Sequence, residues 1–396
     1  MEGNRVARAR LPFFCLWHGE RHRFEEASVV TAVVMVGELG QGTDPVNWVR
    51  GARQAAACDL MAQLRRQPLV QKVVLVAPNA VALAPDGVIP VASPAGPVHV
   101  GAFLAELTAT FGIERLLYFG GGSAPLLSEA ELGELVAQLA AAERLVTTNN
   151  QFSSDWAGIV PASILPQYAP RLPRDNMLGW VLSTEAGLPL AVLPVSAASR
   201  LDIDTPTDLL ALRLCRHTQP HLHRYLSQLP LDTTDLKQAI DILATPARRV
   251  FIAGRISPEV WQSLNRVSRC WLRVLAEERG MVSSGRRARG EVYSLLAEQM
   301  SLVGLPTFFT RLADWADLAF IDTRVLWTSL GHDPAAADRF ASDLGLWQQI
   351  AHPWVAEMTR AAQASAVPVI LGGHSLMAGD MLALCDLVAA RHGAAA

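Results

Sequence analysis

The sequence predicts an α/β protein: a mostly parallel, three-layer sheet in the first half, followed by a second, smaller α/β domain. Three observations carry this. Residues 29–36 form an uninterrupted apolar and β-branched run, the pattern of a strand buried on both faces of a parallel sheet. Strand-like runs then alternate with stretches of helical spacing as far as residue 215, the order of a sheet covered on both faces. The 396 residues exceed the length at which one core usually splits. The expected division is 1–28 as an N-terminal extension, 29–215 as a first domain, 216–246 as a helical connector and 247–396 as a second α/β domain.

The first strand runs into Gly37-Glu38-Leu39-Gly40-Gln41-Gly42, and residues 49–66 then show helical spacing. A strand, a glycine-rich loop and a helix in that order offer backbone N–H groups to a phosphate. The loop matches neither GxGxxG nor GxxxxGKS, and a tight turn is the simpler reading of it. Strands are expected at 72–77, 115–119 and 145–147, with helices at 98–111 and 129–142. Ser128 precedes the second of these helices as its cap. Residues 148–161 then collect amides and hydroxyls, among them Asn149, Asn150 and Asp155. Such a cluster at a strand end suits a substrate rim, and equally an Asx turn that satisfies its own backbone. A helix at 174–183 and a strand at 190–194 follow.

The most informative stretch is Arg200-Leu201-Asp202-Ile203-Asp204-Thr205-Pro206-Thr207-Asp208-Leu209. Asp202 and Asp204 alternate with Leu201 and Ile203, so an extended backbone turns both carboxylates to one face and the apolar pair to the other. Thr205 suits an N-cap, Pro206 a first helical position, and Asp208 the positive end of the helix dipole. Two carboxylates on the lip of a strand-to-helix turn match the way Mg²⁺ is held, by one or two carboxylates plus substrate phosphates. Helix capping by one Asp with the others solvated is the competing explanation.

Later signals are sparser. His217 and His221 are four apart, but Pro220 argues against a regular helix through them. Strands are expected at 249–254, 270–275, 318–322 and 367–371, with a C-terminal helix. The loop 277–290 is dense in arginine and glycine, and Arg286 and Arg289 there suit bidentate capture of a phosphate or carboxylate unless the adjacent glutamates neutralise them. Gly372-Gly373-His374-Ser375 places His374 after a strand, and Asp322 and Arg324 end another. The segment is not GxSxG, which argues against a serine hydrolase.

Composition narrows the class. A hydrophobic fraction of 51% against 18% charged residues describes a globular chain. A net charge of -3 gives no general reason to expect nucleic acid or an acidic membrane as partner. Five scattered cysteines without a CxxC pair fit reduced thiols, and the longest apolar run is strand-sized, so a cytoplasmic protein is expected. A homo-oligomer is compatible with this composition.

Three segments together resemble the MobA-like nucleotidyltransferases of GT-A fold. They are Gly37 to Gly42, Ser123-Ala124-Pro125-Leu126-Leu127 at the place of a D-x-P-L-L turn, and Asp202-Ile203-Asp204-Thr205-Pro206-Thr207-Asp208-Leu209. The resemblance spans about residues 29–214 and implies a GT-A nucleotidyltransferase sheet. It also implies an NTP and Mg²⁺, with a nucleoside monophosphate transferred to a small phosphate- or carboxylate-bearing acceptor and pyrophosphate released. Asp202 and Asp204 would hold Mg²⁺ as catalytic residues. Gly37, Gly40, Gly42 and Ser123 would face phosphates, and Asn149, Asn150 and Asp155 the base or acceptor. The chain departs from the family in two places: residues 37–45 carry no basic side chain, and Ser123 stands where the family has a metal-binding Asp. Arg50, Arg53 and Lys72 are the candidate replacements for the missing cations. These departures keep open a non-catalytic nucleotide sensor or assembly protein, and an activity located instead around Arg286, Arg289 and His374.

Overall fold

The computed structural model describes residues 28–39, 42–94 and 96–394. Gly40 and nearly all of the expected 1–28 extension lie outside these residues. Eleven strands form two sheets among the described residues: β1 (Val30–Met35), β2 (Val70–Ala77), β3 (Ile89–Ala92), β4 (Leu116–Gly120), β5 (Leu145–Thr148), β6 (Trp156–Val160) and β7 (Leu190–Val192), then β8 (Arg249–Gly254), β9 (Trp271–Ala276), β10 (Leu318–Asp322) and β11 (Val369–Gly372).

The first sheet has the order β3-β2-β1-β4-β6-β5-β7, and β6 alone runs antiparallel to its neighbours. Central β1 registers Val33 against Val74 of β2 and against Tyr118 of β4. Its alternation explains the layers. Val30, Ala32 and Val34 enter one core with Leu60, Met61 and Leu64 of the helix Asp44–Arg66 and Leu132, Leu135 and Leu139 of the helix Glu129–Ala141. Val33 points the other way, with Phe103, Leu104 and Leu107 of the helix Val100–Phe111. A strand covered on both faces has no use for polar side chains, hence its continuous apolar run.

Two elements differ from the sequence expectation. Strand β3 has only four residues and contains Pro90, which an edge strand tolerates because one side of its backbone stays unpaired. The helix expected at 174–183 is a series of short turns: a 3₁₀ turn Asp175–Met177, a helical turn Leu178–Trp180 and a π turn Val181–Glu185. Gly179 explains why: a Cβ there would lie 2.8 Å from the Gln151 carbonyl oxygen, so the segment is pressed against the 150–154 loop. Pro220 starts the helix Pro220–Gln228 and leaves His217 outside it, so no regular helix runs through His217 and His221, as the proline implied.

The second sheet, β11-β10-β8-β9, is parallel throughout. Phe251, Ala319 and Ile321 face a core with Phe308, Phe309 and Met358. Val250, Ile252, Leu318 and Phe320 face a second core that also takes in Val46, Val49 and Ala52 of the helix Asp44–Arg66, and Leu201, Ile203, Leu209 and Leu212. The two sheets therefore meet through the aspartate-bearing segment. Ser123 and Asp202 form an antiparallel bridge that ties that segment to the loop after β4. No helix of the described residues is long and apolar enough to cross a membrane.

The start of the helix Gly379–Ala394 shows how close this contact is, since a Cβ on Gly379 would fall 2.2 Å from Leu201 Cα and 2.7 Å from the Arg200 carbonyl oxygen. Gly379→Ala is therefore expected to destabilise the protein by about 2–3 kcal/mol through overpacking. Gly393→Ala in the same helix, where a Cβ would meet nothing within 4 Å, should be neutral or slightly stabilising. Denaturant melts of the two variants provide the comparison.

Candidate functional site

A cavity of about 960 Å³ opens at the C-terminal edge of the parallel strands of the first sheet. Its walls come from the residues that end or follow those strands: Met35, Gly37 and Glu38 after β1, Pro78 after β2, Ser93 after β3, and Gly120 and Gly121 at β4. Asp155 belongs to the same edge because β6 is reversed, so its first residues lie where the other strands finish. Asp202 and Asp204 complete the wall with Asp175 and Arg53. The glycine turn at Gly37 and the acidic pair thus face one space, as ligand sites in open α/β sheets do.

Burial of the apolar partners sets the direction of the acidic pair. Leu201 and Ile203 are buried in the core between the sheets, so Asp202 and Asp204 turn to the cavity. Asp204 Oδ1 accepts from Arg53 Nη2 at 2.5 Å, and Arg53 Nε donates to the Ile203 carbonyl at 2.5 Å. Asp202 Oδ1 is buried without a hydrogen-bond partner. Desolvation, then the charges of Asp204 and Asp155, hold the Asp202 carboxyl well above the usual carboxylate range. Asp155 rises to about 7, from desolvation first and from Asp204 and Asp175, against the opposing hydrogen bond from Asn149. Asp175 is also raised, mainly by desolvation, although it accepts from the Tyr118 hydroxyl at 3.0 Å.

Carboxyl groups crowded this way with a bare inward oxygen fit a hard divalent cation, which would supply the charge that protons otherwise supply. Among the described residues no group of three or more His, Cys, Asp or Glu has metal-ligating geometry. The fit is therefore to an ion such as Mg²⁺ that takes two carboxylates and completes its shell with water and phosphate, not to a cage built wholly of protein.

The other sequence candidates separate into three groups. Gly37, Asp155 and Arg53 line the cavity. Asn149 stands behind it: buried, it donates from Nδ2 to Asp155 Oδ2 at 2.6 Å and accepts the Asp155 N–H at 3.0 Å, fixing that carboxyl. Asn150 turns away to accept the Phe152 N–H at 3.1 Å, the Asx-turn arrangement. Ser123 is buried, and its hydroxyl donates to the Gly120 carbonyl at 2.8 Å, so the turn consumes it and the cavity floor there is Gly120 and Gly121. The Gly42 carbonyl accepts from Asn47 Nδ2. Of the candidate replacement cations, Arg50 donates to Asn47 Oδ1 and Lys72 to the Phe111 carbonyl at the end of a helix, so Arg53 alone of the three lines the cavity.

In the second half, Arg286 is held by Glu278 and by the Arg279 carbonyl, and Arg289 by Glu291, so the adjacent glutamates neutralise both. Neither lines the cavity. Asp322 and Arg324 are likewise committed, Asp322 to Arg255 at 2.6 Å and Arg324 to Asp343 at 2.6 Å. His374 follows β11 within range of Arg255, Asp322, Asp204 and Arg279; desolvation and Arg255 lower its imidazole to about 4, which leaves it neutral at pH 7. Asp175 and Asn176 were the residues hidden from sequence reasoning, because they resemble an ordinary polar helix start.

Asp208 joins the site to the second sheet. Its carboxylate accepts the N–H groups of Asp204 and Thr205, both at 2.6 Å, the Thr205 hydroxyl at 2.9 Å and the Ser375 hydroxyl at 2.8 Å. Asp380 lies beside Asp208, and burial, then the charge of Asp208, holds its carboxyl well above the usual range, toward the protonated form. The Thr207 hydroxyl donates to the Leu371 carbonyl at 2.8 Å. The second half thus holds the aspartate loop from behind through Ser375, Asp380 and the Leu371 carbonyl.

Two outcomes are expected. A carboxyl raised from 3.8 to about 7 in the fold stabilises it fully below 3.8 and loses that contribution as pH rises through about 7. Melting of the metal-free protein should therefore fall over that window, and Asp155→Asn should flatten the dependence. Asp208→Ala strands two buried N–H groups and two hydroxyls and should cost about 3 kcal/mol or more. Asp380→Asn keeps a donor toward Asp208 and should stay within about 1 kcal/mol of wild type, as read by denaturant titration.

No known protein family matches the sequence, and no curated protein matches it. Solved structures do resemble part of the fold. A protein assigned as a nucleotide-diphospho-sugar transferase from Desulfovibrio desulfuricans G20 is 14% identical, with 51% of this chain and 99% of that chain covered at a TM-score of 0.38. A cytidylyltransferase from Leptospira borgpetersenii is 16% identical, with 55% and 94% covered at a TM-score of 0.37. A nucleotidyl transferase from Methanothermobacter is 18% identical, with 51% and 99% covered at a TM-score of 0.36. These structural neighbours are nucleotidyltransferases that correspond to about half of the chain, and at such scores the functional argument rests on the geometry of the site itself.

Proposed function

We propose that the cavity binds a nucleoside triphosphate with Mg²⁺ and transfers the nucleoside monophosphate to a small phosphate- or carboxylate-bearing acceptor. The observation that carries this reading is the unpartnered Asp202 oxygen beside Asp204, in the same cavity as the Gly37 turn. Above Gly37 a Cβ would meet nothing within 4 Å, so the backbone is open to a ligand there. The wall made by Met35, Gly37, Pro78, Ser93, Pro94 and Val98 would take the nucleoside, and the acidic wall the phosphates.

In this scheme Asp202 and Asp204 hold the cation, which neutralises phosphate charge when bound. Arg53 fixes the Asp204 carboxylate through its ion pair and the rest of that loop through the Ile203 carbonyl. The acceptor oxygen attacks the α-phosphorus and forms the new P–O bond. The bond from that phosphorus to the bridging oxygen breaks, and pyrophosphate leaves with the electron pair. Asn149 holds Asp155 at the acceptor side, where its carboxyl must give up a proton before a nearby cation gains from it.

A non-catalytic nucleotide sensor is the second reading. It is favoured by the loop without cations, by the inward turn of Ser123 and by the engagement of Arg53 with Asp204. Pyrophosphate release with Mg²⁺, each of the common NTPs and a panel of phosphorylated and carboxylated acceptors separates the two. Turnover that falls by about a hundredfold or more in Asp202→Asn supports the transferase. A thermal shift with NTP and Mg²⁺ but no pyrophosphate supports the sensor, and the absence of any shift overturns both. Mg²⁺-dependent stabilisation should grow as pH rises through about 7, where Asp155 loses its proton.

A further inference from the structure

A second groove, of about 510 Å³, lies where the loop after β9 faces the turn at Asp175–Met177. Arg174 and Asn176 form one wall, and Ser283 and Arg287 the other, with Met177 and Val282 as apolar lining. Asn176 belongs to both this groove and the large cavity, so the two spaces adjoin. We propose that this groove binds a second anionic group of the acceptor, so that the acceptor is a small molecule with two anionic ends. One end would react beside Asp155 and the other would lie between Arg174 and Arg287. The assignment of the ligand as an acceptor rests on the transferase reading above; the oxyanion site itself does not.

The charge layout supports it. Among the described residues Arg174 makes no hydrogen bond or ion pair from its side chain, and Arg287 is held only by an exposed contact with Asp333 at 2.8 Å. Two guanidinium groups facing one groove repel each other, and an oxyanion between them removes that repulsion while accepting bidentate hydrogen bonds. The same loop brings Arg279 near Arg200 and Glu259, and Arg200, whose buried Nε has no partner, stands close to Asp155. The volume suits a ligand of a few heavy atoms with a short carbon spacer against Met177 and Val282.

The probes are inorganic phosphate and malonate, titrated into the full-length protein without nucleotide and followed by calorimetry at low salt. Arg174→Ala and Arg287→Ala should each weaken binding by about tenfold, the loss of a charge-assisted pair, and the double variant should abolish it. Arg311→Ala, an exposed cation elsewhere, should leave it unchanged. Tighter binding of phosphate assigns a phosphate end to the acceptor, and tighter binding of malonate a carboxylate end. Equal affinity in wild type and double variant, or no binding of either probe to wild type, overturns the proposal. The NTP thermal shift is measured on the same variants: its retention shows that they are folded, and its absence from wild type overturns the transferase reading while the arginine-dependent oxyanion binding stands.

Discussion

Everything at the site depends on where Leu201 and Ile203 are buried. They are held in the apolar space between the two sheets, and an extended backbone cannot bury those side chains without sending Asp202 and Asp204 in the opposite direction. The hydrophobic effect thus does electrostatic work here. It forces two carboxyl groups toward a partly dehydrated wall that already contains Asp155 and Asp175, and the pKa values of Asp155, Asp175 and Asp202 rise because their charged forms are poorly solvated and close to other carboxylates.

The same arrangement explains why the second sheet matters to a site located on the first. A strand-to-helix turn carrying carboxylates would relax away from its own repulsion if nothing held it. Asp208 holds it from within by accepting four donors from residues 204, 205 and 375. Beneath this contact the ion pairs Arg255–Asp322 and Arg324–Asp343 are buried on the second sheet's side. Buried pairs add little net stability relative to apolar packing, but a broken one is costly, so they restrict the ways in which the two halves can meet. The Arg324 guanidinium also lies 5.0 Å from the ring centre of Trp327, which limits its freedom further.

The charges at the cleft are unevenly placed: Asp155, Asp175, Asp202 and Asp204 line the large cavity together with several uncharged residues, and Arg174 and Arg287 line the groove that adjoins it. A net charge of -3 gives no hint of this, because the field that a ligand meets is set by a few residues in a low-dielectric cleft and not by the sum over the surface. The neutralised Arg286 and Arg289 illustrate the point, since their neighbour Arg287 on the same loop lines the groove while they do not.

The sequence by itself determined the local rules: the two-sided apolar run of β1, the alternation of acidic and apolar residues at 201–204, the Thr205-Pro206 helix start, and the second group of parallel strands. Each follows from a period of two or from capping, which act within a few residues. Tertiary structure decided what depends on distant partners. It reversed β6, which brings Asp155 to the edge where β1 and β4 end. It broke the expected helix near Gly179 against the Gln151 backbone, which released Asp175 and Asn176 into the cavity, and it turned Ser123 toward the Gly120 carbonyl. It also selected Arg53 over Lys72 as the cation beside Asp204, because Lys72 lies near the start of β2, away from the edge where the strands end, and bonds the Phe111 carbonyl instead. Local periodicity states which face a side chain takes; only the packing of the two sheets determines what stands opposite it.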